Sequence, residues 1–175
     1  TGADVREVSR AIGTDTRIGS KFLDSGPGFG GSCFKKDILN LVYLSNYFGL
    51  KEVANFWEEV VELNIWHQKR ISRLIVSKLF GTVRGKKIGI LGFSFKANTN
   101  DTRESSAISI CKDLLEEGAF LNIHDPRVES KQIELDLNLK QHDFINSQRI
   151  YENNSEEGVW TFSDTIYGAV SYTHL

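Results

Sequence analysis

A thiol in a glycine-rich turn, with two lysines and a carboxylate beside it, is the arrangement in this sequence best suited to chemistry. It lies in the run Gly26-Pro27-Gly28-Phe29-Gly30-Gly31-Ser32-Cys33-Phe34-Lys35-Lys36-Asp37. Glycines without a Cβ let another molecule come close and allow positive φ. A helical pattern starts directly afterwards, with Ile38, Leu41, Val42, Ser45 and Phe48 at i, i+3, i+4 spacing. Ser32 is the expected N-cap. Cys33 would then sit in the first turn, where free N–H groups and the positive end of the helix dipole favour an anion. With Lys35 and Lys36 close by, such a setting activates a thiol as a nucleophile. Asp37, one turn on, is placed to orient a water or hold a proton. The plainer reading is a turn before a helix and a small buried hydrophobe. As a phosphate cradle the loop carries little alone, since it reads as neither a dinucleotide fingerprint nor a P-loop.

The elements that position this loop come from an ordinary globular composition. The chain has 175 residues, 40% hydrophobic and 25% charged, with a net charge of −2, enough for one large domain or two small ones. That charge argues against a nucleic-acid or membrane-surface role. No apolar run approaches membrane-spanning length, and no secretory signal precedes the first motif. Cys33 and Cys111 have unlike surroundings and suggest no disulfide framework, so a reducing compartment is expected. His67, His124, His142 and His174 are scattered, and no Cys or His pair has zinc-ligand spacing.

In chain order, residues 1–13 read as helix, with Val5, Val8 and Ile12 on one face and Gly13 as its stop. Residues 14–31 read as loop; Arg17 within them is either a solvated surface charge or a phosphate or sugar ligand. A long helix is predicted over Lys51 to Phe80. Val53, Phe56, Val60, Leu63, His67, Ile71, Leu74 and Ile75 mark one stripe, and Trp57, Val61 and Ile65 extend it to a second face. Such a two-faced helix packs against a second domain or a second subunit. His67 is expected to be a satisfied packing residue. After Gly81–Gly85 the pattern becomes α/β. Lys86 to Phe93 reads as a buried parallel strand, Phe95 to Glu104 as a polar loop, Ser105 to Glu117 as a helix, and Phe120 to Pro126 as a second strand. This is a βαβ unit of a doubly wound sheet. Ligands in such sheets bind at the carboxyl ends of strands, where Phe95, Lys96 and Arg103 fall. Cys111 reads as inert core. Residues 127–157 read as polar and irregular, Val159 to Phe162 as a short strand, and Ser163 to Ala169 as the start of a helix.

Taken together, these motifs resemble the UDP-glucose/GDP-mannose dehydrogenase family. The resemblance is carried by Gly28 to Asp37, by Asp37 to Leu44, by Leu91-Gly92-Phe93-Ser94-Phe95-Lys96, and by Asp101-Thr102-Arg103-Glu104-Ser105-Ser106. It runs from residue 1 to about 170. Relatives acting on GDP-mannose or UDP-N-acetylmannosamine share the Gly-Gly-x-Cys core; the Phe-Gly-Gly-Ser-Cys-Phe form and the Asp-Thr-Arg-Glu-Ser-Ser run favour the member acting on UDP-glucose. The resemblance implies oxidation of a primary alcohol to a carboxylate with two NAD⁺, through a thiohemiacetal and a thioester on cysteine. By resemblance Cys33 is that nucleophile and Asp37 assists the water or the proton. Asp24, Ser25, Gly26, Pro27, Gly28, Phe29 and Gly30 resemble the cradle for the UDP-sugar. Phe95 and Lys96 resemble substrate contacts, Arg17 an arginine reaching substrate in a neighbouring subunit, and Arg103 a contact to NAD. Lys78 to Thr82 resembles a segment tied to hexamer formation, and the long helix resembles the family's central dimer helix.

The architecture implied is α/β overall. An all-helical central dimerisation domain (1–84) with a long connecting helix precedes a truncated doubly wound Rossmann-like domain (85–170). A tail at 171–175 does not continue the family pattern. Pro27 stands where a small residue or valine is expected. The family's N-terminal dinucleotide-binding domain and its acid/base residues have no counterpart here, so a cytosolic fragment, inactive by itself, is expected. A catalytically dead oligomerisation module and a plain sugar-nucleotide binding protein are the alternatives.

Overall fold

The computed structural model describes residues 2–142 and 158–166. Helix α1 spans Val5–Gly13, capped by Asp4, whose side chain accepts from the Arg6 N–H. Gly13 lies within the helix instead of stopping it. The turn closes at Thr14, whose Oγ1 donates to the Ala11 carbonyl.

Helix α2 spans Phe34–Tyr47, with Ile38 and Ser45 buried. Its N-cap is Cys33 and not Ser32; the Cys33 carbonyl accepts from the Asp37 N–H at 2.9 Å. The Ser32 hydroxyl lies 3.5 Å from the Cys33 sulfur and serves no cap. Gly49 at φ +77 then reverses the chain. Helix α3 spans Lys51–Lys78 and packs against α2. At 1.5 Å per residue its 28 residues reach about 42 Å. Its buried positions are Ala54, Val61 and Ser72, and the Ser72 hydroxyl donates to the Asp113 carboxylate. The bulky stripe predicted for this helix turns outward at Val53, Phe56, Leu63 and Leu74, as Tyr43, Tyr47 and Phe48 do on α2.

Strand β1 (Lys87–Leu91), helix α4 (Ser106–Glu116), strand β2 (Phe120–His124), helix α5 (Ser130–Leu137) and strand β3 (Val159–Phe162) complete the order. The sheet is parallel, in the order β1-β2-β3. Ile88 sits opposite Leu121, and Leu121 opposite Trp160. The βαβ reading of the sequence stands. Helix α5 falls within the stretch read as irregular. Its apolar content is sparse, but Ile133 and Leu137, at i and i+4, are both buried, and Asn138 closes it in the left-handed conformation. The helix predicted over Ser163 to Ala169 lies mostly outside the described residues.

One core serves the sheet half and reaches into α3. Val83, Phe93, Cys111, Leu114, Leu121, Ile123, Ile133 and Trp160 are buried together, and Ile71, Ile75, Val76 and Leu79 from the end of α3 pack against them. Full burial of each large side chain stabilises the fold by about 1.5–3 kcal/mol. The long helix is therefore shared between α2 at one end and the sheet's core at the other, and this places the cysteine loop beside the sheet.

Candidate active site

The cysteine loop is held by two neighbours, α3 and the turn that follows β1. On the α3 side, Asn64 forms a two-point clamp on the backbone of Phe29. Its Oδ1 accepts from the Phe29 N–H at 2.9 Å, and its Nδ2 donates to the Phe29 carbonyl at 3.0 Å. One turn on, His67 Nε2 lies 3.0 Å from the Gly26 carbonyl, so this histidine is a satisfied packing residue, as expected. Gln68 donates to the Ser106 hydroxyl at 3.4 Å, and Ser106 donates to the Gly28 carbonyl at 3.5 Å. Gly28 has φ +122, and a Cβ there would lie 2.6 Å from Asn64 Oδ1.

The sheet-side neighbour is the turn Asp101–Ser105. Gly31 N–H donates to the Arg103 carbonyl at 2.9 Å. The Lys35 ammonium meets the Glu104 carboxylate at 2.8 Å. Gly30 faces the Glu104 carbonyl so closely that a Cβ would lie 2.3 Å from that oxygen, and a Cβ on Gly31 would lie 2.9 Å from the Phe95 ring. Glycine is required at these positions by the approach of another backbone and a ring. Phe29 and Phe34 pack edge to face at 4.8 Å across the loop.

Cys33 is exposed at the start of α2, and Cys111 is buried in the core, where burial pushes its thiol up to about 12. Arg103 lies within electrostatic reach of the Cys33 sulfur. Its guanidinium also grips Asp101 with two bonds, at 2.9 and 2.6 Å. Hydrogen bonds from the Arg103 side chain and backbone hold the Asp101 carboxyl at about 2. Thus the Lys35–Glu104 pair and the Gly31–Arg103 bond join the start of α2 to the turn after β1.

Beside them opens a cleft of about 630 Å³, lined by Pro27, Gly28, Gly92, Phe95, Lys96 and Arg127 among others. Its floor is the carboxyl end of β1, where sheets of this type take ligands. The Lys96 ammonium stands 5.3 Å over the Phe95 ring. Asp125, 5% exposed, braces the cleft. It accepts from Phe93 and Ser94 at the end of β1 and from Arg127 and Val128 after β2. Burial pushes its carboxyl up, but the four N–H donors outweigh this and hold it below the usual carboxylate range.

The structure thus brings Pro27, Gly28, Phe95 and Lys96 to one cleft and seats Gly30 and Gly31 on Glu104, Phe95 and the Arg103 carbonyl, while Cys33 stands outside the cleft's lining at the start of α2. Asp37 lies one turn along α2 from Cys33, on the surface. Asp24 and Ser25 are exposed at the loop's start. Arg17 is not brought to this cleft by any bond; Asp15 grips its guanidinium at 3.0 and 2.6 Å. Gly26, Gly28 and Gly31 do satisfy the bare spelling G-x-G-x-x-G, a match the sequence reading passed over. The turn follows α1 and coil instead of a strand, so the context of a dinucleotide fingerprint is missing. The sequence reading also missed Asn64, Gln68, Glu104, Ser106 and Asp125. Asn64, His67 and Gln68, at i, i+3, i+4, share one face of α3 as uncharged polar residues, and that spacing was the available signal. Among the described residues no group of three or more His, Cys, Asp or Glu is placed to hold a metal, and no helix is long and apolar enough to cross a membrane.

Comparison with known proteins places these motifs. Residues 1–66 match the UDP-glucose/GDP-mannose dehydrogenase family, central domain, and residues 89–164 match the UDP binding domain of the same family. A UDP-glucose 6-dehydrogenase of Drosophila melanogaster is 58% identical over 78% of this chain and 29% of its own length. One of Gallus gallus is 51% identical over 99% of this chain and 34% of its own length. The structure of a UDP-glucose dehydrogenase from the archaeon Pyrobaculum islandicum matches with a TM-score of 0.71 and 28% identity, over 97% of this chain and 34% of that one. The chain spans about a third of the length of these relatives. With two domains of one family matched in order along it, the chain belongs to the UDP-glucose/GDP-mannose dehydrogenase family.

Proposed function

We propose that these residues are the nucleophile-bearing and UDP-sugar-binding part of an NAD-dependent dehydrogenase that oxidises UDP-glucose to UDP-glucuronate. The observation that carries the reading is the meeting of the Cys33 loop with the Phe95–Ser105 turn at one cleft. Pro27 and Gly28 of the loop line the cleft together with Phe95 and Lys96, and Gly31 is bonded to the Arg103 carbonyl, so both matched domains contribute to one seam.

On this reading the UDP-sugar lies against Gly26–Gly30, with Phe95 and Lys96 at its phosphates or base. The Cys33 thiolate adds to the C6 aldehyde carbon: a C–S bond forms and the carbonyl oxygen takes a proton, giving a thiohemiacetal. Loss of a hydride and that proton leaves a thioester. Water adds to it, the C–S bond breaks, and the carboxylate and thiol are released. Asp37 orients the water or holds its proton. NAD, when bound, accepts one hydride from the alcohol and one from the thiohemiacetal. Arg103, exposed and cationic beside the thiol, fits a contact to its anionic part. The described residues contain no strand–turn–helix dinucleotide site, so the 175 residues alone are expected to reduce no NAD.

The test pits the two cysteines against each other. The chain is alkylated with iodoacetamide, with and without UDP-glucose, and both sites are quantified by mass spectrometry. The reading expects Cys33 to be modified, UDP-glucose to protect it, GDP-mannose to protect it less, and Cys111 to stay silent. Equal labelling of both thiols, or no protection, would overturn it. Protection by GDP-mannose or UDP-N-acetylmannosamine at lower concentration would move the assignment to those family members.

A second reading, assembly through α3, is favoured by a separate observation. Tyr47 is 73% exposed, Phe56 62% and Trp66 51% on neighbouring helical faces. An apolar surface of this kind marks a protein contact. A homodimer through this helix, built into a hexamer with Lys78 to Thr82 at the contact, is the assembly proposed, with Arg17 reaching the partner's site. Light scattering of the purified chain at the mass of a monomer would sink it.

A further inference from the structure

We propose that Asn64 is the positioning residue of the Cys33 loop, an inference that rests on Cys33 being the nucleophile. From Gly26 to Ser32 the loop has neither helix nor sheet bonds, so its shape comes from tertiary partners. Those partners are Asn64, His67 and Ser106, and the Arg103 carbonyl. Asn64 differs from the rest in gripping both backbone groups of one residue. A primary amide offers a donor and an acceptor in one plane, the complement of a peptide's C=O and N–H. Leucine has nearly this shape and neither group; aspartate keeps acceptors and lacks the donor. Gly28, at φ +122, lets the backbone come close enough for the grip, since a Cβ there would strike Asn64 Oδ1. Phe29 in turn packs on Phe34, the first residue of α2, next to Cys33. A chain of contacts therefore runs from the interior of α3 through Phe29 to the start of the nucleophile's helix. Asn64 touches no reacting atom; it acts by fixing Phe29.

The experiment uses the full 175-residue chain and the variants Asn64→Leu and Asn64→Asp. The first readout is hydrogen exchange at the Phe29 amide. The second is the UDP-glucose concentration that half-protects Cys33 from iodoacetamide. Cys111 labelling and exchange in β2 report the fold. Loss of the paired bonds is expected to raise Phe29 exchange about tenfold or more, to raise the half-protecting concentration in step, and to leave Cys111 silent. A merely structural asparagine would open Cys111 and β2 along with Phe29. Should Asn64→Leu expose Cys111, Asn64→Asp decides by the half-protecting concentration, since its carboxylate still accepts from the Phe29 N–H but cannot donate to the Phe29 carbonyl; a half-protecting concentration within about twofold of wild type then overturns the proposal. Phe29 exchange in Asn64→Leu within about twofold of wild type, with Cys111 silent, overturns it directly. If UDP-glucose fails to protect even the wild-type Cys33, the substrate reading falls and Phe29 exchange alone decides the role of Asn64.

Discussion

Substituting alanine for Gly30 replaces a hydrogen by a methyl group at the join between the cysteine loop and the sheet half. The new Cβ would lie 2.3 Å from the Glu104 carbonyl oxygen, 3.0 Å from its carbon and 3.2 Å from Phe95 Cβ. Ordinary contact begins near 3.4 Å, so one side must retreat by about 1 Å. Glu104 cannot retreat easily. It already sits at φ +55, and it leads into Ser105, whose hydroxyl caps α4 by accepting from the Ala107 N–H. The loop must therefore lift, stretching the Gly31–Arg103 bond and the Lys35–Glu104 pair beside it. Overpacking against backbone costs about 1–3 kcal/mol. At about 2 kcal/mol, thermal unfolding of a chain this size falls by roughly 4–8 °C. Gly26 supplies the control for stability: it has no atom within 4 Å of a built Cβ and no positive φ, so Gly26→Ala is expected to leave thermal unfolding unchanged. Both variants are followed by thermal denaturation, and Gly30→Ala also by UDP-glucose protection of Cys33. Gly30→Ala should unfold earlier and lose protection. If it unfolds at the temperature of Gly26→Ala, the loop is not seated on the Glu104 carbonyl.

Two further outcomes follow from side chains that hold backbone groups. Asp125→Asn keeps one acceptor and turns the other into a donor, leaving two of the four backbone N–H groups it now satisfies without a partner. A loss of about 1–3 kcal/mol at pH 7 is expected by urea denaturation. The Asp125 carboxyl is depressed in the folded state, so its contribution is full above the unfolded value near ~3.9 and is lost as pH falls through the folded one. The gap between wild type and variant should therefore narrow below about pH 4, and a gap that is constant down to pH 2 would contradict this. Ser105→Ala removes the α4 cap and should cost about 1 kcal/mol in the same assay, with Ser105→Asp recovering most of it; no loss in the alanine variant would show the cap to be idle.

Much of the fold was legible because its signals are local. The run Lys86–Phe93 announced a parallel strand, although β1 is half-buried and ends on an exposed Leu91 instead of being buried as expected; Gly118 announced a helix stop, and the spacing of Ile108, Cys111, Leu114 and Leu115 a packed face. The strand at Val159–Phe162 was read at the bounds it has. Helix α5 was not, because only Ile133 and Leu137 mark its inner side and a charged, polar run conceals two buried positions. The long helix was legible as a helix but not in its facing. Periodicity picks out the bulky residues, whereas the positions this helix buries are Ala54, Val61 and Ser72, the last bonded to Asp113 of α4. The site was half visible. Cys33, Phe95, Lys96 and Arg103 stand in recognisable motifs. Glu104 acts through its pair with the distant Lys35 ammonium and Asp125 through backbone N–H groups, contacts that leave no periodic trace in the sequence.

The bonds that shape the cysteine loop share one property. Phe29 and Asn64 are 35 residues apart, Lys35 and Glu104 are 69, and Gly28 and Ser106 are 78. Closing a chain loop costs entropy that grows with its length, by about 0.6 kcal/mol for each doubling. None of these contacts is compensated until the helices and the sheet that bring their ends together are in place. The loop holds its shape on loan from both halves of the chain. In a nascent or partly unfolded molecule the same thiol hangs on an unshaped strand of glycines, so the ordering of the loop reports that the two halves have joined.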